Sequence, residues 1–160
     1  LSPGMLILGP TGCGKTTAVV ARIRAAIAEW RRVYVEQNDA RFERFVWTTE
    51  ADLFAAARGQ KLGTGEPELT RMARTYSLLV VDEVGFQPAA GIPAMAAIVD
   101  ERYRHGVPPV ITSGLTYAEF SDRYSAAFVR RIIQGGGARA QYLDLFTRDP
   151  RGNQPRGKHQ

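Results

Sequence analysis

The stretch Gly9-Pro10-Thr11-Gly12-Cys13-Gly14-Lys15-Thr16-Thr17 decides the fold, because it fits G-x-x-x-x-G-K-[ST] and directly follows the apolar run Met5-Leu6-Ile7-Leu8. Strand, glycine loop and helix in that order are what a phosphate cradle needs. Gly9, Gly12 and Gly14 accept backbone angles closed to other residues, so successive N–H groups turn inward on a polyphosphate at a helix start, where the helix dipole also favours negative charge. Lys15 then reaches the β- and γ-phosphates, and the Thr16 hydroxyl holds Mg²⁺. A flexible glycine-rich turn is the bland alternative, and the flanking strand and helix argue against it.

Beyond the loop, Val19, Ile23, Ile27 and Trp30 recur at helical spacing and predict an amphipathic helix from Thr17 to about Arg31 that packs on a sheet. Residues 32–44 stay open: Val33-Tyr34-Val35 reads as a strand, while Glu36-Gln37-Asn38-Asp39 reads as a turn. Phe45-Val46-Trp47-Thr48 is a better strand, with Thr49 or Thr48 capping a short helix over Glu50 to Arg58 that stops at Gly59. Gly63-Thr64-Gly65 makes a loop before a polar helix over roughly Glu66 to Tyr76.

The run Leu78-Leu79-Val80-Val81-Asp82-Glu83 has four apolar residues without alternation, as a central parallel strand covered on both faces should, and it ends in two acids. Ligands of open α/β sheets sit at the carboxyl ends of the strands, so Asp82 and Glu83 are expected beside the glycine loop. There Asp82 would hold Mg²⁺ through water, and Glu83 would polarise an attacking water.

Pro93, Met95, Ile98, Val99, Arg102 and Tyr103 up to Gly106 read as a helix with a glycine stop, and Pro109-Val110-Ile111-Thr112-Ser113 as a strand. Thr112 and Ser113 lie where a hydrolytic phosphate site keeps its γ-phosphate sensor; the alternative is a plain strand-to-turn junction. Thr116-Tyr117-Ala118-Glu119 is a capping-box pattern, after which Phe120, Tyr124 and Phe128 fall at i, i+4, i+8 of a helix or helix pair. Gly135-Gly136-Gly137 would end it, and Ala138 to Phe146 would form the last strand, with Leu143 and Leu145 on one face.

The 160 residues suit one domain with a real core, at 44% hydrophobic and 23% charged content. We expect a core over residues 1–146 and a basic, flexible tail over 147–160. That tail carries Arg148, Arg151, Arg156 and Lys158 against Asp149, hence +3 of the formal +5, which makes global charge a weak argument for nucleic acid. No apolar run approaches a membrane span and no signal peptide opens the chain, although Leu rather than Met at residue 1 suits an excised piece. The lone Cys13 cannot form an intramolecular disulfide, which points to a reducing, cytoplasmic setting, and it reads as a small loop filler rather than a redox gate.

The order of these parts resembles the DnaC/IstB group of AAA+ ATPases, the bacterial or phage replicative helicase loaders and the ATP-binding helpers of insertion-sequence transposases. The likeness runs through Asp82-Glu83-Val84-Gly85, Arg102-Tyr103 and Pro109-Val110-Ile111-Thr112-Ser113-Gly114-Leu115 and covers most of the chain. It implies an α/β, three-layer P-loop NTPase of AAA+/ASCE type, with a central five-stranded parallel sheet and little or no lid. By the same resemblance Arg131, or failing that Arg130, is an arginine finger on ATP bound to a neighbouring subunit. Its catalytic set would be Lys15, Glu83, Thr112, Ser113 and Arg131. Two departures stand out: the family's sensor asparagine is Gly114 here, and no partner-binding domain precedes the loop in this sequence.

The expected function is Mg²⁺-dependent ATP hydrolysis in DNA replication, with a replicative helicase, single-stranded DNA and further copies of the chain as partners. The alternatives are a transposition helper of the same family and a small-molecule P-loop kinase; a kinase would need a mobile lid, and none is evident. A nucleotide-dependent binding module without hydrolysis is argued against by Lys15, Asp82 and Glu83. DNA binding rests on the resemblance, since no aromatic stacking platform stands out.

Overall fold

Continuous apolar runs become the strands at the centre of a parallel sheet. The computed structural model describes residues 4–36, 44–61, 63–134 and 141–146. Five strands, β1 (Met5–Leu8), β2 (Phe45–Thr49), β3 (Leu78–Val84), β4 (Val110–Ser113) and β5 (Gln141–Asp144), pair in parallel in the order β2-β3-β4-β1-β5. The expected α/β architecture with five parallel strands is thus observed. Both β1 and β4 are buried along their whole length, as strands covered on two faces must be.

Alternate residues divide the core into two sides, since successive side chains on a strand point to opposite faces. Met5, Ile7, Val80 and Val110 pack on Val19 and Ile23 of α1 (Lys15–Glu36). Leu6, Leu8, Leu79, Val81 and Ile111 face the other helices. These are α2 (Glu50–Gly59), α3 (Glu68–Thr75), α4 (Ile92–Arg104), α5 (Tyr117–Tyr124) and α6 (Ala126–Gln134).

Two local expectations change, and the choice between one helix and a helix pair after Thr116 is resolved. Val33-Tyr34-Val35, open between strand and turn, continues α1 to Glu36; extending a nucleated helix adds a hydrogen bond for each residue fixed, which outweighs a weak strand preference. Ile27, counted in the buried stripe, is 44% exposed. The aromatic series after Thr116 spans two helices broken at Ser125, whose φ is +81°. Its spacing nevertheless stacks the rings, with centroids 4.9 Å apart for both Phe120–Tyr124 and Tyr124–Phe128. The proposed turn at residues 37–39, the glycine stop at 135–137, the start of the last strand at 138–140 and the tail at 147–160 lie outside the described residues.

Both capping boxes form. Thr49 caps α2 by accepting the Asp52 N–H at 3.1 Å while Asp52 accepts the Thr49 N–H at 3.3 Å, and Thr116 and Glu119 do the same for α5. Thr49→Ala should therefore lower stability by about 1 kcal/mol. For a chain of this size that is a fall of roughly 2–4 °C in Tm, and an unchanged melting curve would contradict the cap.

One buried cation holds two helices together. Arg102 of α4 is fully buried, and its guanidinium donates to the carbonyls of Ala73 at 3.0 Å, Tyr76 at 2.7 Å and Ser77 at 3.2 Å, at and just beyond the C-terminal end of α3. Helix C-termini present unpaired carbonyls and a partial negative charge, and the planar fork of arginine matches several at once. Burial pushes the Arg102 pKa down to about 10, which still leaves it charged at neutral pH. Its sequence neighbour Tyr103 points outward, 43% exposed.

Candidate nucleotide-binding site

The loop after β1 is anchored at its first residue, where the Gly9 N–H donates to Ser113 O at 3.1 Å on β4. A Cβ on Gly9 would sit 2.7 Å from Cys13 Sγ and 2.8 Å from Leu145 Cβ, so the thiol of Cys13 fills the space behind the loop. Gly12 and Gly14 take φ of +80° and +93°, angles that L side chains rarely adopt. Lys15 opens α1 and donates from Nζ to the carbonyls of Gly9 at 2.8 Å and Pro10 at 2.9 Å.

Opposite the loop, β3 brings its two acids round. In a regular strand Asp82 and Glu83 would face opposite sides. Here the register slips by one residue, Val81 pairing with Ile111 but Val84 with Ser113, and Glu83 takes a left-handed φ of +56°. A bulge of this kind re-aims side chains at the end of a strand, and a non-glycine residue in this region carries strain of about 1–3 kcal/mol. As a result both acids line one cavity of about 300 Å³, together with Thr11, Gly12, Gly14, Lys15, Thr16 and Thr17 from the loop side and Phe86 and Gly114.

Hydrogen bonds then fix the acids unequally. Asp82 is buried, accepts the Thr16 hydroxyl at 3.4 Å through Oδ2, and accepts the Thr112 hydroxyl in a short bond through Oδ1. The Glu83 N–H is shared between Asp82 Oδ1 and Thr112 Oγ1, both at 3.1 Å, while the exposed Glu83 carboxylate meets no hydrogen-bond donor among the described residues. Thr112 thus meets the site through Asp82. Ser113, fully buried, donates to Val84 O at 2.5 Å and accepts the Leu115 N–H at 3.1 Å, so its hydroxyl braces the end of β4 outside the cavity.

Arg131 is not brought to this cavity either. It lies on α6 with Nη1 2.8 Å from Asp100 Oδ1 of α4, a charge contact without the alignment of a hydrogen bond, and Arg130 beside it is exposed. Sequence reasoning passed over Phe86, which is 63% exposed and lines the cavity. A Cβ on Gly114 would come within 2.8 Å of Phe86 Cζ, so the ring occupies the space above the residue that stands in the sensor position. The available signal was an aromatic residue directly after the Asp-Glu-Val-Gly run.

The donor set fits a small hard cation. Thr16 Oγ1 and Asp82 Oδ2 are oxygen ligands of the type Mg²⁺ takes, and among the described residues no group of three or more His, Cys, Asp or Glu is placed to hold a metal alone. A cation here has to arrive with phosphate oxygens and water, which is how Mg²⁺ is usually bound.

The parallel sheet with a glycine loop at one helix N-terminus and a carboxylate pair two strands away defines a P-loop nucleotide-binding protein. A model of the IstB-like ATP binding protein family matches residues 3–133, and the chain belongs to this DnaC/IstB-like family. Among solved structures it is similar to the DnaC helicase loader, at 17% identity and a TM-score of 0.65 over 89% of this chain and 77% of that one. It is also similar to DnaI, at 15% identity and 0.59 over 90% and 73%. AMPPCP-bound DnaA from Aquifex aeolicus matches at 21% identity and 0.57 over 90% of this chain, which spans only 40% of that one. These likenesses are of fold. No curated protein sequence matches the chain, and among the described residues no helix is long and apolar enough to cross a membrane.

Proposed function

We propose that the chain hydrolyses ATP with Mg²⁺ and passes the phosphoryl group to water. The observation that carries this reading is the bulge in β3, which directs Asp82 and Glu83 into one cavity facing Lys15 and Thr16. A second carboxylate facing the phosphate loop is the group that a hydrolytic site needs to orient its water.

In this reading Lys15 leaves Gly9 O and Pro10 O to meet the β- and γ-phosphates, while Thr16 and Asp82 hold Mg²⁺, which would neutralise charge developing on the phosphate oxygens. Glu83 orients a water and draws its proton as the water oxygen bonds to the γ-phosphorus and the bond to the β–γ bridging oxygen breaks. The proton then passes to the phosphate released. Positioning and electrostatics supply nearly all the catalysis in such transfers. Arg131, or Arg130, would act on the nucleotide of a second copy once the Asp100 contact opens, so assembly would follow the nucleotide state.

The cellular role we assign is that of a helicase-loader-like ATPase acting on single-stranded DNA or a replicative helicase, supported by the likeness to a helicase loader and to a replication initiator bound to AMPPCP and single-stranded DNA. The resemblance to the ATP-binding helpers of insertion-sequence transposases gives the second reading, a helper of transposition. Phosphate release from Mg²⁺-ATP, with and without chelator and single-stranded DNA, tests both levels. Chelator-sensitive release raised by DNA is expected. Absence of release overturns the hydrolytic reading, and absence of DNA binding at low salt overturns the DNA-directed one. Mixing Arg131→Ala with Lys15→Ala subunits should restore some activity if the finger acts between copies.

A further inference from the structure

A third carboxylate, close to Asp82 and Glu83, is committed to other parts of the protein. Glu50, the first residue of α2, is buried at 2% exposure. Its Oε2 accepts the Gly85 N–H at 2.8 Å, and its Oε1 accepts the Tyr124 hydroxyl of α5 in a short bond. Burial, reinforced by Glu50, raises the Tyr124 pKa above its ordinary value, so the phenol keeps its proton and remains a donor.

The bonded amide lies in the turn that carries the site. Gly85 stands two residues after Glu83 and one before Phe86, both of which line the cavity. Its φ is +118°, and a Cβ there would meet Leu115 Cδ1 at 2.6 Å, so only glycine fits this turn without strain. Among the described residues the turn has further polar ties: the Glu83 N–H is shared between Asp82 Oδ1 and Thr112 Oγ1, Val84 O accepts from Ser113, and Gln87 O accepts a short bond from Arg123 of α5. Of these ties, only the one through Glu50 joins two helices to the segment between Glu83 and Phe86. Buried polar groups are costly unless fully bonded, and both oxygens of Glu50 are bonded to these elements.

We infer that Glu50 is a positioning residue: by clamping the Gly85 amide to Tyr124, it keeps the strained Glu83 backbone turned so that its carboxylate faces the phosphate loop. The inference rests on the hydrolytic reading above. It also makes α5 a lever on the site, since movement of Tyr124 would be transmitted through Glu50 to the Glu83 turn.

The experiment compares wild type, Glu50→Ala, Glu50→Asp, Glu50→Gln and Tyr124→Phe in ATP turnover, nucleotide affinity and amide exchange of the 80–87 segment, at a temperature where each is folded. Misplacing a reacting group by an ångström costs about 100-fold. Glu50→Ala should therefore lose kcat by about that factor with nucleotide affinity nearly unchanged, and the Gly85 amide should exchange faster. Glu50→Asp, too short to span Gly85 and Tyr124, should lose kcat similarly, and it carries the test if the alanine variant does not fold. Glu50→Gln keeps an acceptor for Gly85 and offers the Tyr124 oxygen an N–H, so it should recover most of the turnover; Tyr124→Phe should fall between. A lowered Tm with wild-type kcat in Glu50→Ala or Glu50→Asp would overturn the positioning role. A wild-type chain that binds Mg²⁺-ATP without turning it over would instead overturn the hydrolytic reading, and with it any role of Glu50 in catalysis.

Discussion

Lys15→Ala is expected to abolish useful nucleotide binding, while Glu83→Gln binds nucleotide and fails to turn it over. Hydrogen bonds from a charged donor are each worth about 1.5–3 kcal/mol, or roughly 10–150-fold in Kd. Lys15 makes two such bonds within the loop and would exchange them for phosphate oxygens. Glu83→Gln removes the base but keeps the size and the left-handed backbone, so its effect should fall on kcat, by about 100- to 10,000-fold. Titration with a fluorescent ATP analogue and phosphate release separate the two. Wild-type turnover in both variants would remove the proposed chemistry; a Glu83→Gln variant with lost affinity and normal kcat would reassign the carboxylate to binding.

Arg102→Ala is the largest expected loss of stability. It strips three backbone carbonyls of a buried, charged donor and leaves a cavity between α3 and α4. Each buried carbonyl left unsatisfied costs about 1–3 kcal/mol, so three of them take a large share of the roughly 5–15 kcal/mol that holds a domain folded. Urea unfolding should show it as a lowered midpoint at constant m. Arg102→Lys should recover only part, because one ammonium cannot spread over carbonyls from three residues. A melting curve within 1 °C of wild type for Arg102→Ala would show that water replaces the guanidinium there.

Motifs whose chemistry is local were legible in the sequence. The glycine loop, the apolar β3 ending in Asp82-Glu83 and the Thr116–Glu119 capping box depend on residues a few positions apart, and the structure places each on the element expected. Roles set by tertiary contact were not. Glu50 reads as an acid in the first turn of a helix, yet its partners Gly85 and Tyr124 are 35 and 74 residues away. Arg102 reads as half of a family motif, while its work is to cap a helix that ends 27 residues earlier. Ser113 shares the residue type of a sensor, but the hydrogen bond to Val84 across the sheet decides its use. Ser125 carries no mark of the positive φ that splits α5 from α6.

The place of β4 between β1 and β3 has a dimensional consequence. Adjacent strands lie about 4.8 Å apart, so one intervening strand sets the loop and the acid pair off by two such steps, close to 10 Å. A strand order with β1 next to β3 would halve that separation. β4 therefore works as a gauge block: Ser113 O meets the loop on one edge, Thr112 meets Asp82 on the other, and the breadth of one polypeptide strand becomes the opening of the site.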